Sequence, residues 1–214
     1  MYVKYVPLGS LQANCYLIKD EVSGECAVID PGVYDSRLEE FLRLEGVSDI
    51  KYIMLTHGHF DHICGAYELR NKYNSKILIH EEDAFCLHDN EWSIAAYVDD
   101  YELTYCEADI CFNEGDKFFL GETEITVMHT PGHSKGSSMF IAENYIFAGD
   151  TIFCHGMGRT DLFGGSTKTI FKSLRRIGQI QGEYIIAAGH GELTTLDEEK
   201  RFNRYLRAND NSNN

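Results

Sequence analysis

Seven residues of metal-ligand type stand just past the ends of four hydrophobic runs. Residues 53–55 lead into Thr56-His57-Gly58-His59-Phe60-Asp61-His62. Residues 125–128 lead into Thr130-Pro131-Gly132-His133, residues 145–148 into Gly149-Asp150, and residues 184–188 into Gly189-His190. Neutral imidazole and carboxylate suit zinc, and equally iron or manganese. His57 and His59 are two positions apart, so no helix puts them on one face. The helical His-x-x-x-His pattern of zinc proteases is absent, and the segment fits a loop or helix entry that wraps a metal. Seven donors exceed one tetrahedral ion and match two ions sharing a carboxylate, which sit roughly 3.5–4 Å apart in known two-metal sites. Such a pair lowers the pKa of a bridging water from about 15.7 towards 7, which makes a hydroxide for attack on a carbonyl.

Glycine falls within or just before each ligand segment, where the backbone must turn tightly. Each run therefore reads as a strand that stops and hands a His or Asp to a turn. Four such events imply one sheet edge and one site. Further strands are expected at 15–18 and 26–29, flanking Ser23-Gly24, and at 76–79, 117–120 and 138–141. A helix is expected from about Ser36, with Ser36 and Glu39 as capping box, and another over about 64–73. From Thr167 a helix carries Ile170, Phe171, Leu174 and Ile177 on one face, and a last helix is capped by Thr195 and Glu198. Residues 81–113, which hold the only tryptophan, Trp92, read as short helices and a long loop covering the site. Helices with one apolar stripe need sheets to cover, so a sheet pair with helices outside is the expected architecture.

The bulk properties narrow the function classes. A chain of 214 residues can bury a substantial core without disulfides. No apolar run approaches the roughly eighteen residues of a membrane span. The opening Met1-Tyr2-Val3-Lys4-Tyr5 lacks the apolar segment of a secretory signal, so a cytoplasmic protein is expected. Seven cysteines (Cys15, Cys26, Cys64, Cys86, Cys106, Cys111, Cys154) are odd in number, irregularly spaced and without a Cys-x-x-Cys pair, which fits reduced thiols. A net charge of -15 without a Lys/Arg cluster argues against nucleic acid as a partner. One domain over residues 1–207 is expected, with 208–214 as a disordered polar tail. His80, His88, His129 and His155 read as cap, core or loop residues; His129, near His133, is also a candidate to orient a ligand. Oligomeric state has no signal in the chain.

The order and spacing of His57, His59, Asp61, His62, His133, Asp150 and His190 resemble the metallo-β-lactamase superfamily, over nearly the whole chain. The resemblance implies an α+β fold, a four-layer αβ/βα sandwich with the site at the sheet edges. Within it the chain is similar to the short, single-domain glyoxalase II-like branch. The local runs are Pro131-Gly132-His133-Ser134-Lys135-Gly136-Ser137, Gly149-Asp150-Thr151-Ile152-Phe153, Gly158-Arg159-Thr160-Asp161-Leu162 and Gly189-His190-Gly191-Glu192-Leu193-Thr194-Thr195. By this resemblance one ion takes His57, His59 and His133, the second takes Asp61, His62 and His190, and Asp150 bridges them. Two divalent ions, zinc first and iron or manganese next, are implied. Asp61 and Asp150 would hold the attacking hydroxide, and the substrate would be S-lactoylglutathione or a related small thioester or ester. Arg159 falls where longer relatives set a basic residue against a glutathione carboxylate; its alternative role is a salt bridge to Asp161. Those relatives carry a further C-terminal helical domain, and a tyrosine where Glu192 stands, so the resemblance implies the hydrolytic core and leaves the thiol carrier open. Rival readings on the same fold are a persulfide dioxygenase-like oxidoreductase with one iron on two His and one Asp, and a lactone or ester hydrolase. A secreted β-lactamase, a nuclease and a metal-free binding module rank lower.

Overall fold

Several strands of this chain are apolar on both faces, and that alone forces a layered fold. In Cys26–Ile29 every residue is buried: Cys26 and Val28 pack against helices, while Ala27 and Ile29 face a second sheet. The computed structural model describes residues 1–99, 101 and 103–207; the tail expected at 208–214 lies outside them. The first sheet runs in sequence order through β1 (Tyr2–Leu8), β2 (Ala13–Lys19), β3 (Cys26–Ile29), β4 (Tyr52–Met54), β5 (Lys76–His80) and β6 (Ile110–Phe112). Its first three strands are antiparallel meanders and the rest pair in parallel. The second sheet contains β7 (Lys117–Leu120), β8 (Thr123–His129), β9 (Ser138–Ala142) and β10 (Tyr145–Gly149). A small ribbon follows, β11 (Ile152–Phe153) with β12 (Gly156–Met157), before β13 (Ile185–Ala188) and β14 (Thr194–Thr195) complete that sheet on the far side of β10.

The two sheets meet over Tyr16, Ile29, Met54, Phe112, Phe140 and Phe147, all nearly fully buried. Each such side chain contributes roughly 1.5–3 kcal/mol of burial free energy. Helix α1 (Ser36–Leu44), the single-turn α2 (Phe60–Ile63) and α3 (Ala66–Tyr73) cover the outer face of the first sheet through Leu38, Leu42, Ile63 and Leu69. Helix α4 (Thr167–Gly178), α5 (Leu196–Phe202) and α6 (Arg204–Arg207) cover the second through Ile170, Leu174, Ile177, Leu196 and Leu206. The order of layers is helix, sheet, sheet, helix: the expected αβ/βα sandwich.

Local signals were read to within a residue or two. The cap of α1 is Asp35, not Ser36: its carboxylate accepts from the Arg37 and Leu38 amides. Asp at that position satisfies two of the orphan amides, so the helix starts at Ser36, one residue earlier than a Ser36 cap would set it. Thr195 caps α5 as expected, but the Glu198 side chain turns away to His155. All seven cysteines are free. Among the described residues no helix is long and apolar enough to cross a membrane.

Candidate metal centre

The ligand-type residues leave the ends of strands from both sheets. After β4 the chain enters α2 with His59 as its N-cap, which puts Asp61 and His62 in the first turn. His133 follows β8, Asp150 follows β10 directly, and His190 follows β13 by two residues. The single edge expected from the sequence is thus a seam where the ends of two stacked sheets meet. Strand alternation told that each run ends at an edge; it carried no information on which sheet each strand joins.

All seven residues converge at that seam. His59 Nδ1 lies 2.8 Å from His133 Nε2, and the His57 ring centre is 4.8 Å from those of both His59 and His133. Beside this triad, His190 Nε2 lies 3.1 Å from Asp61 Oδ2 and 3.3 Å from His62 Nε2. Asp150 stands between the triads. Its Oδ2 is 3.6 Å from both His133 Nε2 and His190 Nε2, and its Oδ1 is 3.4 Å from His62 Nε2. The candidate ligand atoms of each triad lie within 4.8 Å of one another. The cluster is closed on the side of His57 and His62; the His190 side chain is 27% exposed and that of Asp150 12%, so access is from their side.

A second ring of contacts fixes which nitrogen is free in four of the five imidazoles; His59 faces the centre with Nδ1. His133 Nδ1 donates to the Arg159 carbonyl at 2.8 Å, and His190 Nδ1 to the Leu11 carbonyl at 3.1 Å. His62 Nδ1 lies 3.0 Å from Asp30 Oδ2, and His57 Nδ1 lies 3.0 Å from Thr56 Oγ1. With the remote nitrogen protonated and tied, Nε2 keeps its lone pair for the centre. Asp30 is a hub the sequence reading missed. It accepts from the Thr56 amide at 2.8 Å, the Thr56 hydroxyl at 2.7 Å and His62, and is almost fully buried. Its oxygens are committed to these donors, so it braces the ligands and does not replace one. The signal was available: residues 26–29 form a fifth hydrophobic run ending on an acid, Asp30-Pro31-Gly32. Asp83 was missed too. It accepts from the Gly58 and Gly136 amides and the Ser134 hydroxyl, stapling the His57–His62 loop to the His133 loop. A lone Asp in a polar stretch offers no periodicity that would single it out.

Two glycines let the backbones close in. At Gly149, whose φ is +47°, an added Cβ would come within 2.4 Å of Thr56 Oγ1. At Gly189 it would come within 2.2 Å of Asp150 Oδ1.

The electrostatics suit cations. Burial, joined by neighbouring imidazoles, holds His57 and His59 well below the usual histidine range, so both stay neutral lone-pair donors. Burial opposes ionisation of Asp61, but His62 and His190 outweigh it and its carboxyl is held well below the ordinary range. Burial likewise opposes protonation of His62, yet Asp61, Asp150 and Asp30 together raise it to about 10. This is a pocket whose field strongly favours added positive charge. His57 Nε2 and Asp150 Oδ1 are buried with no hydrogen-bond partner, and buried polar atoms of this kind call for a partner. The donor chemistry, the field and the orphaned atoms all fit divalent metal ions.

The other sequence candidates fall as follows. Arg159 places both Nε and Nη2 on Asp161, at 2.7 and 2.8 Å, with both side chains exposed. His129 does not touch a ligand side chain; it stacks on His80 with ring centres 4.0 Å apart and donates to the Lys135 carbonyl. His155 pairs with Glu198, and His88 lies 3.8 Å from Glu107. The segment from 81 to 113 forms short 3-10 turns at Ala84–His88 and Ala95–Tyr97 and then β6. It packs on the entry to α2: the Ser93 carbonyl accepts from the Phe60 amide at 2.8 Å, and Tyr101 meets the Phe60 ring edge-on.

Known proteins are similar to this chain in sequence and fold. The family model of the metallo-beta-lactamase superfamily matches residues 8–190. The hydroxyacylglutathione hydrolase GloC of Haemophilus influenzae is 34% identical, over 96% of this chain and 98% of its own length. Among solved structures, the B3 metallo-beta-lactamase BLEG-1 superposes with a TM-score of 0.89 at 31% identity, covering 96% of this chain and 99% of that one. TTHA1623, solved in a di-iron-bound form, gives 0.84 at 30% identity, covering 94% and 99%.

Proposed function

This chain belongs to the metallo-beta-lactamase superfamily, and on that premise we propose that it is a metal-dependent hydrolase of small thioesters, glyoxalase II-like in substrate class. The observation that carries the reading is Asp150 Oδ2, equidistant from His133 Nε2 and His190 Nε2 at the junction of two donor triads. His57, His59 and His133 would hold one divalent ion, Asp61, His62 and His190 the other, with Asp150 shared. Zinc is the first choice, with iron and manganese open. When bound, such a pair supplies Lewis acidity that polarises a carbonyl oxygen and lowers the pKa of water from about 15.7 towards 7.

The chain's own residues do the remaining work. Asp61, held ionised, and the orphaned Oδ1 of Asp150 accept hydrogen bonds from an attacking water and orient it. Asp30, the Arg159 carbonyl and the Leu11 carbonyl hold the imidazoles in one tautomer, so no reorganisation accompanies the reaction. The buried His57 and His62 side excludes bulk water, while the open Asp150 and His190 side admits the substrate. The choice of a thioester rests on the similarity to GloC and on the resemblance of the runs around Arg159 and His190 to the glyoxalase II-like branch. A cytoplasmic location, a single domain and a small-molecule partner belong to the same proposal.

The test is a substrate panel on protein loaded in turn with zinc, iron and manganese: S-lactoylglutathione, simpler thioesters, lactones and a β-lactam. Thioester hydrolysis that disappears in Asp150→Asn is expected. Protein inert to every thioester with all three metals overturns the reading. One iron per chain with oxygen uptake would favour the dioxygenase rival.

A further inference from the structure

The chain carries a net charge of -15, yet one cation beside the centre is left without an acid. Lys135 lies two residues past His133 and is exposed, and among the described residues no salt bridge engages it. Its ammonium sits 4.8 Å from the centre of the Trp92 ring. Cation–π contacts of this kind leave the outward hydrogens of the ammonium free for an anion. Arg159, the basic residue the sequence suggested, is differently placed: its planar fork is filled on both nitrogens by Asp161.

The surroundings of Lys135 are apolar. The Trp92 ring lies 5.8 Å from that of Phe163, and Phe163 lies 6.2 Å from Tyr97. Phe163 is 46% exposed and Tyr97 62%, so adjoining aromatic faces are open to solvent here. Gly164 lets the pieces touch: a Cβ there would meet the Lys135 stem and the Trp92 ring at 3.3 and 3.5 Å. Three segments build this patch, and each braces the centre directly. The Lys135 segment carries His133. The loop bearing Phe163 begins at Gly158, packed against the Asp150 carbonyl, and gives its Arg159 carbonyl to His133. The Trp92 segment gives its Ser93 carbonyl to Phe60, next to His59. The patch therefore stands on the segments that frame the His59 and His133 flank of the centre.

We propose that Lys135, on its Trp92 floor beside Phe163 and Tyr97, is the subsite for the carboxylate-bearing end of the substrate, with the aromatic faces taking an adjoining apolar group. This rests on the reading of the centre as a hydrolase of small thioesters, and it moves the recognition of acid from Arg159 to Lys135. Substrates with both a carboxylate and an apolar group a few bonds away are favoured over those with either alone.

Trp92 is the only tryptophan in the chain, so its fluorescence reports on the patch with no turnover needed. The probe is (benzylthio)acetate, a thioether that cannot be hydrolysed, with benzyl methyl sulfide and (methylthio)acetate as halves, each titrated into metal-loaded protein. Saturable quenching by the full probe is expected, with weaker binding of either half. Lys135→Gln should weaken the full probe roughly ten-fold, about one charge-assisted hydrogen bond, and leave benzyl methyl sulfide unchanged. Lys135→Arg should restore most of the loss, and Phe163→Ala should weaken both aryl probes. No saturable response, equal affinity in Lys135→Gln, or a loss confined to Arg159→Gln each overturns the proposal. A protein inert to thioesters that still shows the Lys135-dependent response would sink the hydrolase reading alone, and an active thioesterase without that response would sink this one alone.

Discussion

Replacing Asp30 with Asn tests how far the centre depends on a residue that touches no metal. The substitution keeps shape and tolerates the backbone, since Asp30 has φ +53°, a region Asn adopts readily. What changes is charge and hydrogen-bond polarity. The carboxylate accepts three hydrogen bonds, from the Thr56 amide, the Thr56 hydroxyl and His62 Nδ1. An amide has one acceptor oxygen, so in either orientation it sets its NH2 group against the Thr56 amide or against His62. One buried donor is left unpaired, at about 1–3 kcal/mol of folding stability. In both orientations the negative charge that makes His62 Nε2 a better donor is gone. Loss of such an outer partner typically lowers metal affinity 10–100-fold. The ion held by Asp61, His62 and His190 should therefore weaken by that factor, while the ion at His57, His59 and His133 is affected less. Competition with a chromophoric chelator resolves the two binding steps, and thermal melts of metal-free protein report the stability loss. Two ions bound with unaltered affinity would refute the tautomer argument.

Three further outcomes follow from the same geometry. Gly189→Ala pushes a methyl into Asp150 Oδ1 and His62 Cε1; a displacement near 1 Å can cost on the order of 100-fold in rate, so activity should collapse and metal content fall below two while far-UV circular dichroism stays native. Stripping the ions with a chelator should lower the melting temperature, because binding at a thousand-fold excess over Kd contributes about 4 kcal/mol per site; an unchanged melt would mean that no cation is held by the fold. His80, held down to about 4 by burial and then by His129, has a folded pKa below its ordinary 6.5. Its neutral form therefore stabilises the fold fully above pH 6.5, and that contribution is lost as pH falls towards 4; His80→Gln should flatten this acid limb of a melting-temperature profile.

Much of the fold and centre was legible because it rests on local, periodic signals. The continuous apolar run at 26–29 and the apolar residues at 125–128 marked strands, and the spacing of Ile170, Leu174 and Ile177 marked α4. The seven ligand-type residues stood out because strand, glycine and donor coincide at each. What stayed hidden is non-local. Asp83 matters through hydrogen bonds to residues far along the chain, which no window of sequence displays, and the sequence shows Asp30 only as an acid ending a hydrophobic run, without its distant partners. The aromatic patch was invisible for the same reason: Trp92, Lys135 and Phe163 lie in three separate segments and meet only in the folded chain. The assignment of β4 to one sheet and of β8, β10 and β13 to the other likewise depends on pairing, not on any strand's own pattern.

The most direct measurement is an anomalous diffraction map from crystals of the metal-loaded protein, recorded at the metal's absorption edge. Two peaks are predicted on either side of Asp150, roughly 3.5–4 Å apart, one ringed by His57, His59 and His133 and the other by Asp61, His62 and His190. A single peak, or density away from these side chains, would contradict the account.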